Sequence, residues 1–305
     1  MAILTIIGPT AVGKTDVAML IAEKISGEIV SADSRQIYKH LNIGTAKPSK
    51  AQRRKIPFHL IDFIELEEEY SCGQFARDAE EKIDKILTRK KIPIVCGGTG
   101  LYIRALFHPL DNLPRSSART KEKLRKMLQR HGIEYMYRKL QRIDPLWAGR
   151  IKSRDKQRIL RGMEVFELTG KPISAMMGKK KTRAKFPPHY VGLRLQRDAL
   201  YSRINTRFEQ MLSNGLVKET EALLKEGFDP GLSALRTIGY KEITAYLQGT
   251  MSFDEAVERA KRRTRNYAKR QMTWFSKLPS VVWYDATDPE LVNKIISSLK
   301  QETMN

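Results

Sequence analysis

The chain of 305 residues has little of what builds a membrane anchor, a disulfide framework or a zinc site. No run reaches the ~20 apolar residues that a helix needs to span a bilayer. Two cysteines, Cys72 and Cys96, lie far apart without a C-x-x-C pair, which argues against disulfides and zinc and favours a reducing cytoplasm. The histidines are dispersed and predict no metal site, and His59, inside an apolar run, is typical of a hydrogen-bonded core residue.

Acidic residues are scarce relative to basic ones. The 34 Asp+Glu face 56 Lys+Arg, which gives a formal charge of +22. Residues 113–189 hold 22 Lys/Arg and 6 Asp/Glu, a net charge of +16, which leaves +6 for the rest of the chain. This concentration predicts a polyanionic partner, with nucleic acid ahead of a membrane surface. The alternative is a solvated, lysine-rich helical face.

What the sequence does contain is a complete phosphate-binding pattern, G-x-x-x-x-G-K-[ST], at residues 8–15. It follows the apolar run 3–7, which has no basic segment before it and is therefore predicted to be a strand, not a signal peptide. Glycines let backbone N–H groups face a phosphate cluster, which the next helix N-terminus also attracts. Lys14 adds a charge and Thr15 a hydroxyl for Mg²⁺; a plain glycine turn is the alternative. The predicted phosphate-loop residues are Gly8, Pro9, Thr10, Ala11, Val12, Gly13, Lys14 and Thr15.

The first 112 residues alternate short apolar runs with helical patterns, as in a parallel α/β sheet. At Leu113 the pattern changes, and residues 117–168 are helical, basic and free of strand candidates. Residues 178–188 are predicted to be a flexible linker, and 190–195 to return to the first sheet. We therefore expect a P-loop α/β core from 1–113 and 190–305, with parallel strands flanked by helices, and an inserted helical domain at 114–189. The predicted strands are 3–7, 28–30, 59–62, 92–96, 190–195 and one near 281–284.

Asp33 ends the second predicted strand, at the carboxyl edge of the sheet where ligands bind. A carboxylate there can coordinate Mg²⁺ or act as a general base, and a turn aspartate is the alternative. Thr99 follows Gly97-Gly98 at the end of another strand, and its hydroxyl can donate to a base or a phosphate. No acid follows the strand 92–96, which argues against hydrolysis as the main activity.

Two groups of cations on predicted helices leave their partners open. Arg203 and Arg207 share one helical face at i, i+4, a spacing that suits a diphosphate or phosphodiester clamp or a bridge to acids on a neighbouring helix. The predicted helix 253–275 carries seven cations that cannot all share one face. Some of them must face solvent, and others must meet carboxylates or phosphates.

Several further blocks stand in order along nearly the whole chain. They are Asp33-Ser34-Arg35-Gln36-Ile37-Tyr38, Gly44–Pro48, His59–Asp62, Gly97–Tyr102, Asp155–Arg161, Thr169–Pro172, Ile238–Glu242 and Ala268–Trp274. With the phosphate loop, these blocks make the chain similar to the bacterial tRNA dimethylallyltransferases, also called tRNA isopentenyltransferases.

The resemblance implies a prenyltransferase that moves a dimethylallyl group from dimethylallyl diphosphate to N6 of the adenosine just 3′ of the anticodon, with Mg²⁺ as cofactor. It implies that the phosphate loop holds this diphosphate and not a nucleoside triphosphate. It places the catalytic base on Asp33 and further catalytic groups on Thr15 and Arg207, with Arg203 as helper. We expect a cytoplasmic monomer with no membrane association and no obligate protein partner. Implied contacts to the tRNA anticodon stem-loop are Asp33, Ser34, Arg35, Gln36, Thr99, Lys121, Gln157, Arg158, Ile159, Leu160 and Arg161.

Three other functions share parts of this pattern. A small-molecule kinase would use the same loop and sheet, but gives no reason for an insert with a charge of +16. A nucleic-acid-binding NTPase switch would hydrolyse ATP or GTP slowly in response to RNA. Prenyl transfer to free adenine nucleotides would leave the insert without a role.

Overall fold

The computed structural model of the chain describes residues 2–108, 111, 113–178 and 184–304. Within these ranges a parallel sheet of six strands has the order β3-β2-β4-β1-β5-β6. Parallel neighbours bring all the strand ends of one polarity to one edge of the sheet. The strands are β1 Ile3–Ile7, β2 Gly27–Ser31, β3 Phe58–His59, β4 Ile92–Cys96, β5 Pro188–Arg194 and β6 Val282–Asp285.

Helices cover both faces of this sheet, which is why its central strands are buried and largely apolar. Every residue of β1 and of β2 is buried. One face packs on Ile21 of the first helix, and the other on Phe75 and Phe275. The helices are α1 Lys14–Ile25, α2 Lys50–Lys55, α3 Cys72–Thr88, α4 Gly100–Phe107, α5 Ala118–Ile143, α6 Pro145–Arg150, α7 Lys156–Thr169, α8 Ile173–Met176, α9 Arg197–Ser213, α10 Leu216–Lys225, α11 Tyr240–Leu247, α12 Phe253–Phe275 and α13 Leu291–Met304.

The predicted α/β class is confirmed, but the predicted third strand, 59–62, is wrong in extent. β3 contains only Phe58 and His59, which pair with Ile29 and Val30 of β2. Leu60 and Asp62 adopt the left-handed backbone conformation, with φ of 57° and 61°. Because this conformation cannot continue an extended strand, the chain turns away after His59.

The chain divides into two compact units, 1–108 with 184–305 and 109–183. The second unit begins five residues before the predicted start at 114 and ends six before the predicted end at 189. Its described residues form α5 to α8 and no strand. Its core contains Leu124, Met136 and Leu140 of α5 with Ile159 and Met163 of α7. Of the predicted linker 178–188, residues 179–183 lie outside the described part of the chain.

Among the described residues, no helix combines the length and the apolar character that crossing a lipid bilayer requires. His59 on β3 is hydrogen-bonded as predicted, but it is only partly buried and not a core residue. Nε2 of His59 lies 2.7 Å from Oε2 of Glu28, which also accepts a hydrogen bond from Arg89 at 2.7 Å. His59 is thus a structural partner of a buried carboxylate.

Candidate active site

Loops at the carboxyl ends of β1, β2 and β4 line one cavity of about 740 Å³ within the first unit. The loop after β1 contributes residues 10–15, except Val12, and the loop after β2 contributes 33–36. Gly97 and Gly98 follow β4 at the same wall. The topology therefore brings the phosphate loop and Asp33 together, as expected for ligand sites at this edge of a parallel sheet.

The phosphate loop is shaped by backbone conformations that few residues adopt. Gly8 has φ of +148°, and a Cβ there would lie 2.6 Å from the carbonyl oxygen of Leu193 on β5. Gly13 has φ of +102° and precedes the first turn of α1, so the amides of that turn face the cavity region. Nζ of Lys14 donates to the Pro9 carbonyl at 2.7 Å, which folds the side chain back over its own loop.

Lys14 and Arg207 are half-buried cations in the cavity wall. Burial lowers the pKa of Lys14 to about 8, against the opposing influence of Cys96 and Asp33. Burial also lowers the pKa of the Arg207 guanidinium. Desolvation destabilises the charged form of a cation, so both groups gain when an anion enters the cavity.

Helix α9 carries the predicted arginine pair, Arg203 and Arg207. No ion pair joins Arg203 or Arg207 to an acidic side chain within the described part of the chain, and both line the cavity. NH1 of Arg203 lies 3.5 Å from the carbonyl oxygen of Val12, in the phosphate loop. Of the two interpretations left open by the spacing, the geometry favours a clamp for an anion.

Asp33 is held in place by the backbone that follows it. Its Oδ1 accepts from the amide of Arg35 at 2.8 Å and from that of Gln36 at 3.3 Å. Oγ1 of Thr99 accepts from the amide of Ser34 at 3.0 Å and donates to the Ser34 hydroxyl at 3.2 Å. Burial lowers the pKa of both Lys14 and Arg207, and the Asp33 carboxylate partly opposes this effect, so it lies within electrostatic reach of both cations.

The cavity wall is apolar beside these charged groups. Ile204 and Phe208 lie on the same helix as Arg203 and Arg207 and are almost fully buried. A cavity that combines fixed cations with an apolar wall suits a ligand with an anionic head and a short apolar chain. The apolar side chains that line it include Ile29, Phe58, Ile204, Phe208, Met211 and Ile238.

The donor set fits a magnesium ion that is bound mainly by its ligand. Among the described residues, no group of three His, Cys, Asp or Glu side chains could hold a metal. The hydroxyl of Thr15 and the carboxylates of Asp16 and Asp33 nevertheless line the cavity. Mg²⁺ usually keeps several waters and takes one or two protein oxygens together with phosphate oxygens.

Helix α12 supplies residues that the sequence interpretation did not single out. Its cations divide as expected: Arg263 pairs with Glu242, whereas Arg270 is exposed, and both line the cavity. Burial, followed by the nearby Asp33 carboxylate, raises the pKa of Tyr267 to about 12. Gln271 is 5% exposed and bonds to two loops of the site. The only sequence indication was that these residues fall within or beside the block 268–274.

The predicted RNA contacts in the second unit are in varied settings. Gln157 and Arg158 are exposed in the first turn of α7. Ile159, also predicted, is fully buried, so its side chain does not face RNA, and the predicted Leu160 packs against the same core. Arg161 binds Glu164 at 2.6 Å and the Pro114 carbonyl at 2.8 Å. Lys121, also predicted, is partly buried on α5.

Comparison with known proteins gives a consistent class. A family model described as IPP transferase matches residues 36–278, and one described as isopentenyl transferase matches residues 1–66. The chain is 43% identical to a tRNA dimethylallyltransferase of Alkaliphilus metalliredigens, over 98% of this chain and 96% of that protein. It is 45% identical to that of Acetivibrio thermocellus, with the same coverage.

Solved structures agree with these sequence matches. The tRNA isopentenylpyrophosphate transferase of Bacillus halodurans has a TM-score of 0.73 and 34% identity, with 99% of this chain and 98% of that chain covered. A eukaryotic dimethylallyltransferase acting on tRNA has a TM-score of 0.80 and 30% identity, with 94% and 74% covered. Fold and sequence thus define a transferase of isopentenyl groups. The chain belongs to the tRNA dimethylallyltransferase family.

Proposed function

We propose that this chain transfers the dimethylallyl group of dimethylallyl diphosphate to N6 of the adenosine just 3′ of the anticodon in tRNA, and releases diphosphate. The observation that carries this proposal is the presence of a fixed carboxylate, Asp33, in the same cavity as the half-buried cations Lys14 and Arg207. The family membership of the whole chain supports the same chemistry.

The phosphate loop, Lys14 and the arginine pair on α9 bind the diphosphate of the donor. As the bond from the allylic C1 to oxygen breaks, negative charge grows on the leaving diphosphate. Donors that are already in position stabilise this charge without reorganisation, typically by about 3–4 kcal/mol for each well-placed group. Lys14 and Arg207 suit this role best, because burial disfavours their positive charge and an incoming anion compensates it.

Asp33 orients the N6 amine of the adenine and receives its proton. The exocyclic amine is too weak an acid to lose a proton first, so deprotonation accompanies formation of the N6–C1 bond. The electron pair of the breaking C1–O bond leaves with diphosphate. Two backbone amides on Oδ1 hold the carboxylate in position, and Thr99 steadies the adjacent Ser34.

Thr15, with phosphate oxygens and water, would hold Mg²⁺, which neutralises charge on the diphosphate when bound. The apolar wall formed by Ile204, Phe208 and Met211 accommodates the five-carbon chain and excludes water from the allylic carbon. Exclusion of water matters here, because a carbocation-like C1 reacts with any nucleophile that reaches it.

The second unit binds the anticodon arm through its phosphates. Residues 113–189 carry a net charge of +16, and Arg158 is among the exposed cations. Phosphate contacts position the RNA without reading much sequence, and the target base must leave the loop stack before its amine can be reached. We infer a monomer that works in the cytoplasm, a reducing setting that fits Cys72 and Cys96, which are not joined in a disulfide.

One incubation tests the proposal against its rivals. The protein is given dimethylallyl diphosphate labelled in the prenyl group, together with ATP, AMP and unmodified tRNA. We expect label only in tRNA, as isopentenyladenosine beside the anticodon. Label in AMP would indicate a nucleotide prenyltransferase, and ATP turnover without label transfer would indicate a kinase or an NTPase.

A further inference from the structure

Gln271 is a buried amide on a helix that is otherwise rich in cations. It lies on α12 and is 5% exposed. Its Oε1 accepts from the backbone amide of Thr10 at 2.8 Å, and its Nε2 donates to the carbonyl of Gly98 at 2.8 Å. A buried primary amide is stabilising only when its groups are bonded, and here each end has a backbone partner.

The two partners of Gln271 belong to two different loops of the site. Thr10 is in the loop after β1, which the proposed function assigns to the donor diphosphate. Gly98 is in the loop after β4, and the next residue, Thr99, bonds to Ser34 beside Asp33. One side chain thus connects the diphosphate loop with the loop that steadies the catalytic carboxylate.

The packing around Gln271 leaves little room for another arrangement. A Cβ at Gly98 would lie 2.2 Å from Nε2 of Gln271, so this glycine makes space for the amide. One turn earlier on α12, the hydroxyl of Tyr267 lies 3.5 Å from the same Gly98 carbonyl. Three residues later, Trp274 covers Gly100, where a Cβ would lie 2.2 Å from its ring. This face of α12 therefore follows the loop after β4 closely.

We propose that Gln271 is a positioning residue that fixes the distance between the leaving-group site and the Asp33 base. This inference rests on the proposed function. Each half of the site has supports of its own: Lys14 bonds within the phosphate loop, and Asp33 bonds to the backbone that follows it. Gln271 instead fixes the two loops relative to each other. Removal of its hydrogen bonds should therefore lower the rate of transfer more than it weakens the binding of either substrate.

The test compares Gln271→Met, which keeps the shape and removes both hydrogen bonds, with Gln248→Met. Gln248 is exposed and, within the described residues, its side chain has no hydrogen-bond partner. For each protein, single-turnover transfer to unmodified tRNA gives the rate, and calorimetry gives the Kd for inorganic diphosphate and for an anticodon stem-loop RNA. We expect Gln271→Met to lose about tenfold or more in rate, with both Kd values within about threefold of the parent, since small misplacements of reacting groups have large effects. Gln248→Met should match the parent.

Gln271→Glu provides a second variant if the methionine protein does not fold. The glutamate keeps an acceptor for the Thr10 amide, but it places an oxygen where Nε2 of Gln271 donated to the Gly98 carbonyl. We therefore expect its transfer rate to fall by more than about twofold relative to the parent. A rate within about twofold of the parent for either variant, provided that it folds, would overturn the proposal. So would a rise in the diphosphate Kd as large as the fall in rate, because Gln271 would then serve the phosphate loop alone. A parent protein that does not modify tRNA would instead refute the proposed function.

Discussion

Cations have two different settings in this chain. In the cavity of the first unit, Lys14 and Arg207 are half-buried, their pKa values are lowered by burial, and neither forms an ion pair within the described residues. In the second unit, cations such as Lys126 and Arg158 are exposed on helices. The first setting suits a compact anion in one fixed position, and the second an extended polyanion whose counterions are released on binding.

The difference shows that the contribution of a cation to anion binding depends more on its solvation than on the number of cations nearby. An exposed ion pair contributes about 0–1 kcal/mol, whereas a donor that is already desolvated can contribute several kcal/mol when its anion arrives. Substitutions in the cavity should therefore change catalysis, and substitutions in the second unit should change RNA affinity and its salt dependence. The following predictions test that division, in order of decreasing effect.

Asp33→Ala should have the largest effect. We expect turnover to fall by at least about a hundredfold, the range of a general base, while tRNA affinity changes little. Single-turnover transfer and RNA-binding titrations measure the two quantities. Asp33→Asn, which keeps the shape and can no longer take the proton, should be as slow as the alanine variant. Near-normal turnover in either variant would remove Asp33 as the base.

Arg207→Ala should come next. Loss of one well-placed donor to the leaving diphosphate should lower turnover by about a hundredfold, which corresponds to about 2.7 kcal/mol, the lower end of the range for such a donor. Arg207→Lys restores the charge without the planar guanidinium and should recover part of the rate. A variant that weakens RNA binding and leaves transfer intact would contradict the division between the two settings.

The pH dependence of diphosphate binding should be several-fold. Because the pKa of Lys14 is lowered to about 8, this group is charged at neutral pH and loses its charge as pH rises through about 8. The Kd for inorganic diphosphate should therefore increase over that window, although ionisation of the diphosphate itself adds negative charge and acts in the opposite direction. Lys14→Met should lack this component. Identical pH profiles for parent and variant would show that Lys14 does not titrate in the cavity.

Arg158→Ala in the second unit should have the smallest effect. This side chain is exposed, and its ion pair among the described residues is a 3.6 Å contact with Asp155. We expect RNA affinity to fall about twofold to fivefold, and the slope of log K against log salt to become less steep by at most about one. Diphosphate binding should be unchanged. A large loss of turnover at saturating RNA would mean that the residue does more than contact a phosphate.

Local patterns predicted the parts of the fold that depend on neighbours in sequence. The phosphate loop lies between a buried strand and a helix that begins at Lys14, and α12 has the predicted bounds, Phe253–Phe275. The predicted strand 59–62 is wrong in extent because the backbones of Leu60 and Asp62 are left-handed. The hydropathy pattern of these residues does not indicate that conformation. Turn chemistry overrode the apolar pattern at this edge of the sheet.

The contacts that complete the site could not be predicted from single stretches. The hydrogen bond from the Thr10 amide to Gln271 joins residues 261 positions apart, and no local pattern marks one glutamine of a cationic helix as a buried bridge. Similarly, the guanidinium of Arg161 donates to the carbonyl of Pro114, which lies 47 positions earlier in the chain. Such assignments depend on which elements the topology brings together.

The pairing of β1 with β5 has a consequence for how the protein is made. Ile3 lies opposite Pro188, so one edge of the strand that leads into the phosphate loop pairs with a strand some 185 residues downstream. During synthesis from the N-terminus, the nascent chain holds that strand as a bare sheet edge until the second unit has emerged from the ribosome. Contacts this distant along the chain slow folding, and an unpaired apolar strand attracts other chains. We therefore expect chains truncated before β5 to aggregate on release.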